Sequence, residues 1–325
     1  MSGLVGRALG ATRVRTRAAL ELAGLPLLYA GLRIARQYRP GFHETSDRVY
    51  RAADRLGVYP VIDHYHEPPV RPRPRGRRRL PGIDLRVEAQ LELLARLRYG
   101  DELSAVPLRE TDPTTPYYAN PSFATPDAQV YHSLLRHFRP RRVVEVGSGQ
   151  STRFAARALA LNRAEGAESE LVAIEPFEAP ELEQLGVRVV RRRVEEVGEE
   201  VFAELRGGDL LFVDSSHVVQ PGGDVVMLLL DVIPALPPGV LVHVHDVFTP
   251  RDYPEEWSRR RWFWAEQYVV EGLLTHNPRL EVVLAVDHLL REHADAFAAA
   301  CPVPLPPGPG PTPSSFWLRT RAETT

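Results

Sequence analysis

Two short stretches far apart in the chain hold the side chains most able to do chemistry. "VDSSH" (213–217) offers Asp214, two serines and His217, and "HVHD" (243–246) offers His243, His245 and Asp246. Histidine titrates near neutrality and can take a proton from a hydroxyl or a protonated amine. Carboxylates with an imidazole can instead hold a divalent cation, which lowers the pKa of an oxygen bound to it. Magnesium prefers oxygen donors, so a histidine in that set would point to manganese, iron or zinc. Side chains alternate along a strand, which puts His243 and His245 on one face and Val244 on the other. Three readings stay open on residue types alone. His217 or His245 is a general base; Asp214, His245 and Asp246 hold a metal; or the histidines only pack beneath a loop.

The elements that must position these residues show in the hydrophobic pattern. From residue 141 short apolar runs alternate with helical stretches. Strands are expected at Arg142–Val146, Leu171–Ile174, Val187–Val190, Leu210–Val213 and Val240–Val244, then at Leu280–Val286 and Phe316–Arg319. Helices fall at Thr152–Leu161, Glu195–Leu205 and Val225–Leu236, after others at Asp84–Arg98 and Asp127–Phe138. Residues 111–126, rich in Pro, Thr, Tyr and Asn, read as an ordered loop. Such alternation argues for an α/β, doubly wound, mostly parallel sheet of seven strands with helices on both faces. The two reactive stretches follow the fourth and fifth strands, which are neighbours in such a sheet. "EEWSRRRWFWAEQY" (255–268) reads as a lid helix. Trp257, Trp264 and Tyr268 recur there at helical spacing, which favours core packing. Tyr253 and Trp257 are the better pocket candidates, and Arg259–Arg261 read as solvated.

The first strand runs into "VVEVGSGQST" (143–152), a glycine turn that opens a helix. Gly147 and Gly149 permit a tight turn and close approach of a ligand to the backbone. A dinucleotide turn would carry a third glycine where Thr152 stands. Glu145, just before the turn, would repel a pyrophosphate and attract the ammonium and sulfonium of S-adenosylmethionine (SAM). The second strand ends in "AIEP", and Glu175 there can bind both ribose hydroxyls.

The stretches "VVEVGSGQST", "IEP", "LLFVDSSH" and "PGVLVHVHDVF", followed by "TPRDYPEEW", "WAEQY" and "SSFWLR", resemble the class I SAM-dependent methyltransferases. They are similar in particular to a bacterial branch, methyltransferase family 24, that includes cephalosporin-hydroxylase-like and antibiotic-sugar O-methyltransferases. The resemblance covers roughly residues 115–320. It implies a Rossmann-like sheet in which Glu145, Gly147, Gly149, Gln150 and Ser151 line the methionine end of SAM, Glu175 holds the ribose and Glu195 lies near adenine. It also implies carboxylates at the ends of strands four and five, where metal-dependent relatives place them. Ser151 stands where a third small residue is usual, and Ala265 where relatives carry asparagine. The expected reaction is methyl transfer to oxygen or nitrogen of a small molecule. Alternatives are metal-dependent oxidation of the cephalosporin-hydroxylase type, an NAD-dependent oxidoreductase, and a SAM-binding module without catalysis.

Composition narrows the classes. The formal net charge of −2 argues against nucleic acid as a partner. All 40 basic residues are arginine, which excludes lysine Schiff-base chemistry and a P-loop lysine. A single cysteine, Cys301, excludes an intrachain disulfide and a cysteine-rich zinc site, and cytoplasm is the expected compartment. Ala18–Leu32 is apolar but broken by Glu21 and Pro26, too short to span a membrane. It reads as a helix packed on the protein, with weak membrane-surface contact as the other reading. Residues 68–82, with six arginines and several prolines, read as a solvated connector. The expected division is an N-terminal helical extension and linker over 1–80, then a methyltransferase domain over 81–325 with its cofactor-binding core at about 127–320. Nothing in the sequence sets the oligomeric state.

Overall fold

The computed structural model describes residues 76–123, 125–177, 180–259, 262–304 and 312–322, with isolated positions at 23–31 and at 55. The chain forms two compact units, Met1–Pro72 and Arg73–Thr325. In the first, the described positions between 23 and 31 are helical, but Leu27 and Tyr29 stand 79% and 67% exposed. No helix among the described residues is long and apolar enough to cross a membrane.

The second unit is built on one seven-stranded sheet of order β3-β2-β1-β4-β5-β7-β6. Its strands are β1 (Arg142–Val146), β2 (Glu170–Ile174), β3 (Arg188–Val190), β4 (Leu210–Val213), β5 (Leu241–Val244), β6 (Leu280–Ala285) and β7 (Phe316–Thr320). The first five are parallel, and β7 runs antiparallel between β5 and β6. Among the described residues ten helices accompany them: α1 (Val87–Arg96), α2 (Gly100–Ser104), α3 (Asp127–Phe138), α4 (Gln150–Ala164), α5 (Glu200–Ala203), α6, α7 (Glu255–Arg259), α8 (Glu266–Leu274), α9 (Val286–Glu292) and α10 (Ala294–Ala300). Helix α6 is one helical run, Asp224–Val226, Met227–Val232 and Ile233–Ala235, wound as a π-helix in its middle.

Both faces of the sheet are buried, which is why its strands read as unbroken apolar runs. Val143, Leu210, Phe212 and Leu241 pack under α1, α3, α4, α9 and α10. Their neighbours Val144, Val146, Leu211, Val213, Val242 and Val244 pack under α5, α6 and α8 on the other side. Register pairs Glu145 with Phe212 and Phe212 with His243 across β1, β4 and β5. Two residues further along, Gly147, Asp214 and His245 therefore emerge side by side at the carboxyl edge. Backbone bonds from Asp214 to Val146 (2.9 Å) and from His245 to Val213 (3.0 Å) carry the ladder up to that row.

Two expected helices break. Glu195–Leu205 becomes a 3₁₀ turn (Val194–Glu196) and α5, because Gly198 between them sits at φ +82°. Residues 255–268 form no single lid helix: α7 ends by 259, and α8 starts only at Glu266. The described part of the loop over 111–126 is held by side-chain bonds to its backbone. Asp112 accepts the amides of Thr114 and Thr115, and Asn120 accepts those of Ser122 and Phe123.

The arginine- and proline-rich stretch also needs a correction. Its described part, from Gly76 on, is not a solvated connector. Arg78 donates its amide to Pro250 (2.8 Å), its Nε lies 2.6 Å from Asp252, and its guanidinium pairs with Glu271. The two compact units divide at 72/73. A chain starting at Pro81 should therefore melt below one starting at Arg73. Losing these bonds leaves Glu271 buried without its cation, a cost of about 2 kcal/mol, or roughly 4–8 °C in Tm. Equal melting curves for the two chains would refute this.

Candidate active site

The loops after β4 and β5 converge as their strands do. His217 Nε2 lies 3.5 Å from Asp214 Oδ1 and 3.5 Å from Asp246 Oδ2. These three side chains each offer a ligand atom within 4.8 Å of the others. Two donors about 2.1 Å from one metal ion lie about 3.0–3.4 Å apart, and the two His217–carboxylate separations of 3.5 Å come close to that. Asp214 keeps 30% of its side chain open to solvent, and Asp246 keeps 13%. His217 and Asp246 both sit at φ +61°, a left-handed conformation uncommon for residues with side chains. Such strain persists only where surrounding contacts hold it.

His245 lies behind this group. Its Nδ1 is 3.5 Å from Asp214 and 3.6 Å from Asp246, and its Nε2 is 3.5 Å from Asp127. Asp127 opens α3 and accepts the backbone amides of Ser314 (2.9 Å) and Ser315 (3.0 Å), just before β7. Ser314 Oγ donates to Asp246 at 2.7 Å. His243 is separate. It is fully buried, bonds Ser315 Oγ at 2.9 Å, and stacks on Trp317 at 4.2 Å and 11°. Burial depresses its pKa well below the usual value, so it is a neutral packing residue. Ser216 donates its amide (2.7 Å) and its Oγ (2.6 Å) to the carboxylate of Asp224 at the start of α6.

The two remaining histidines carry charge. Burial opposes that charge on His217, but Glu266, Asp246 and Asp214 outweigh it and raise the pKa to about 9. Burial likewise works against His245, and Asp246, Asp214 and Asp127 again prevail. Protonated imidazoles accept no proton at neutral pH, which weighs against either histidine as a general base there. The carboxyl groups of Asp127, Asp214, Asp246 and Glu266 surround these two imidazoles.

Three residues in the site were not singled out as reactive in the sequence. Glu266 is fully buried, with Oε1 2.5 Å from His217 Nδ1. Trp264, expected in the core, lies against the His217 ring at 4.1 Å. Asp127 is the third. The signal for the first two was the "WAEQY" stretch itself, and for Asp127 its place at a helix start. Trp257 meets Trp264 edge to face at 4.8 Å and stacks on the buried Tyr253, so the pocket candidates back this wall. Tyr268 is 45% exposed and not core. The Arg259–Arg261 side chains lie outside the described residues.

The glycine turn touches the cluster directly. Gly147 sits at φ +89°, packed against the carbonyl of Asp214. Gly149 follows at φ +153° with open space where a side chain would point. Thr152, which stands where a dinucleotide turn has glycine, accepts the Gly149 amide at 3.0 Å and so closes the turn onto α4. Residues 144–247, from β1 to just past β5, match the family model of a methyltransferase domain, methyltransferase family 24. Residues 144–247 carry a methyltransferase domain. No curated protein matches the chain in sequence.

Among solved structures, the methyltransferase domain is similar to the O-methyltransferase TomG of Streptomyces achromogenes, involved in tomaymycin synthesis and crystallised with SAM. That match has 17% identity over 72% of this chain and 90% of the other, with a TM-score of 0.35. An O-methyltransferase from Bacillus cereus in complex with SAH, the demethylated product of SAM, matches at 14% identity over 72% and 91%, TM-score 0.32. The plantazolicin methyltransferase BpumL with SAH matches at 10% identity over 72% and 95%, TM-score 0.38. TM-scores below 0.5 leave the functional reading to the residues of this domain.

The expected cofactor residues all lie at the carboxyl edge of β1, β2 and β3. Glu145 is fully buried on the α3 face and accepts a 2.8 Å bond from Tyr131. Gln150 and Ser151 open α4. Glu175 ends β2 with Oε1 accepting the Phe177 amide at 2.8 Å. Glu195 is exposed in the 3₁₀ turn beyond β3. Glu145 Oε2, Ser148 Oγ and Gln150 Oε1 are buried without a protein partner. Gln150 Oε1 can only accept a hydrogen bond, and Glu145 Oε2 can only accept one when Glu145 is ionised.

Burial raises the Glu145 pKa to about 7, against the bonds from Thr152 and Tyr131. The buried acid is therefore favoured over the carboxylate, and that stabilisation fades as pH rises through about 7. A cationic ligand reverses the preference, so SAM binding should release a proton from Glu145. Affinity should rise about tenfold between pH 6 and 8, then level off. Calorimetry across that range, in buffers of different ionisation enthalpy, checks it. A flat profile with no proton release would show that Glu145 does not face the cofactor.

Proposed function

We propose that this protein transfers the methyl group of SAM to an oxygen of a small molecule at a site where Asp214, His217 and Asp246 hold a divalent cation. The observation that carries this reading is their convergence, two carboxylates and an imidazole, against the cofactor turn. When bound, the cation would lower the pKa of the acceptor hydroxyl. Methyl transfer from a sulfonium is an in-line displacement, so the protein must chiefly align donor and acceptor. Gly147 does part of this, because its contact with the Asp214 carbonyl fixes the turn relative to the cluster. Glu145, Gly149, Gln150 and Ser151 would hold the methionine end of SAM, Glu175 its ribose and Glu195 its adenine. His245, between Asp127 and the two site aspartates, holds their carboxylates in place. Once ionised, above about pH 7, Glu145 opposes a pyrophosphate and so an NAD cofactor. The lone buried Cys301 accords with a cytoplasmic protein.

Calorimetry of the full chain with SAM, SAH and NADH tests the cofactor. Radiolabelled SAM with a panel of phenols, catechols and sugars tests transfer, with and without EDTA. SAM binding, together with transfer that EDTA stops and Mn²⁺ restores, is the expected result. NADH binding without SAM binding would overturn the cofactor. Transfer indifferent to EDTA, rising with pH through about 9, would replace the cation by a histidine base.

A further inference from the structure

The segment Trp264–Glu266 grips His217 from three sides. The Ala265 amide donates to the His217 carbonyl at 3.0 Å. The Trp264 ring covers one face of the imidazole, 4.1 Å between centroids. Glu266 takes Nδ1 at 2.5 Å. These contacts hold the loop in its left-handed turn and leave Nε2 as the ring atom facing Asp214 and Asp246. Burying a carboxylate completely is costly unless it is paired, and no apolar packing need calls for one here. Its other oxygen, Oε2, has no hydrogen-bond partner. Ligand histidines commonly give their second ring nitrogen to a carboxylate, which fixes ring orientation and tautomer and raises ligand basicity.

We propose that Glu266 is a positioning residue, which acts through His217 by holding Nδ1–H so that Nε2 is presented to a divalent cation shared with Asp214 and Asp246. This rests on the cation reading of the site and deepens it. With an oriented imidazole among its donors the site suits first-row cations such as Mn²⁺ better than Mg²⁺.

The test uses the full chain and Mn²⁺ itself, followed by loss of the free-ion electron paramagnetic resonance signal. Wild type should bind one Mn²⁺. Glu266→Gln should weaken binding about 10–100-fold, and Glu266→Asp should recover part of the loss. SAH affinity, read by calorimetry on the same samples, should change less than about twofold and reports that each variant is folded. A double-mutant cycle with His217→Ala separates positioning from general support. Once His217 is gone, Glu266→Gln should cost no further Mn²⁺ affinity. Additive losses, a Gln variant that binds like wild type, or a wild type that binds SAH but no Mn²⁺, would each overturn the proposal. Failure of wild type to bind SAH would instead strike the methyltransferase reading.

Discussion

Replacing Gly147 by valine should abolish SAM binding, with a loss of more than about 100-fold, and should lower thermal stability. A Cβ at this position would stand 2.1 Å from the Asp214 carbonyl oxygen, and φ of +89° is one that side-chain-bearing residues rarely adopt. The carbonyl cannot retreat cheaply, because the Asp214 amide is tied to Val146 at 2.9 Å in the β1–β4 ladder. Either the turn opens or the reactive cluster shifts. Even alanine meets the same clash. Gly149 is the internal control: nothing lies within 4 Å of its would-be Cβ, so Gly149→Ala carries backbone strain alone. That strain is of order 1–2 kcal/mol, roughly a tenfold loss of SAM affinity. Circular dichroism melts with SAM calorimetry on Gly147→Val, Gly147→Ala and Gly149→Ala would check the ranking. Binding by Gly147→Val within threefold of wild type would mean that the turn does not hold the cofactor.

Asp214→Ala should remove turnover by at least about 10²-fold while leaving SAH affinity within about threefold. Asp214 Oδ1 lies 3.5 Å from both His217 Nε2 and His245 Nδ1, so one substitution takes one carboxylate partner from each of two imidazolium groups and removes a cation ligand. The stability cost should stay below the ~3–5 kcal/mol of breaking a fully buried pair, since Asp246 and Glu266 still face His217. Its pH dependence has a definite sign. The His217 pKa is raised from 6.5 to about 9, so its pairing stabilises the fold fully below about pH 6.5 and ceases to do so above about 9. The Tm gap between wild type and Asp214→Ala should thus be larger at pH 6 than at pH 10. A gap that widens with pH would show that His217 is neutral in the native protein. Turnover by Asp214→Ala at the wild-type rate would place the chemistry elsewhere.

Much of this architecture could be read along the chain. All seven strands lie within about two residues of where the apolar runs put them, because a sheet buried on both faces leaves strands few polar positions. Helix α3 falls where its pattern places it, and the glycine turn shows because local backbone conformation demanded glycine. The strand ends also announced Asp214, His217, His245 and Asp246 as neighbours, since β4 and β5 adjoin. The sequence stopped where side chains meet across distance. His217 and Glu266 are 49 residues apart, and helical spacing assigned Trp264 to a core helix that the chain does not form there. Asp127 opened a helix like any acid at an N-terminus, until folding set it beside His245 and the start of β7. His243 and His245, alike in the strand pattern, were parted by tertiary structure into a neutral packing residue and a charged site residue. Periodicity reports which face is buried, because burial depends on a residue's own apolarity. The partner and charge of a buried polar group depend on what the rest of the fold brings against it.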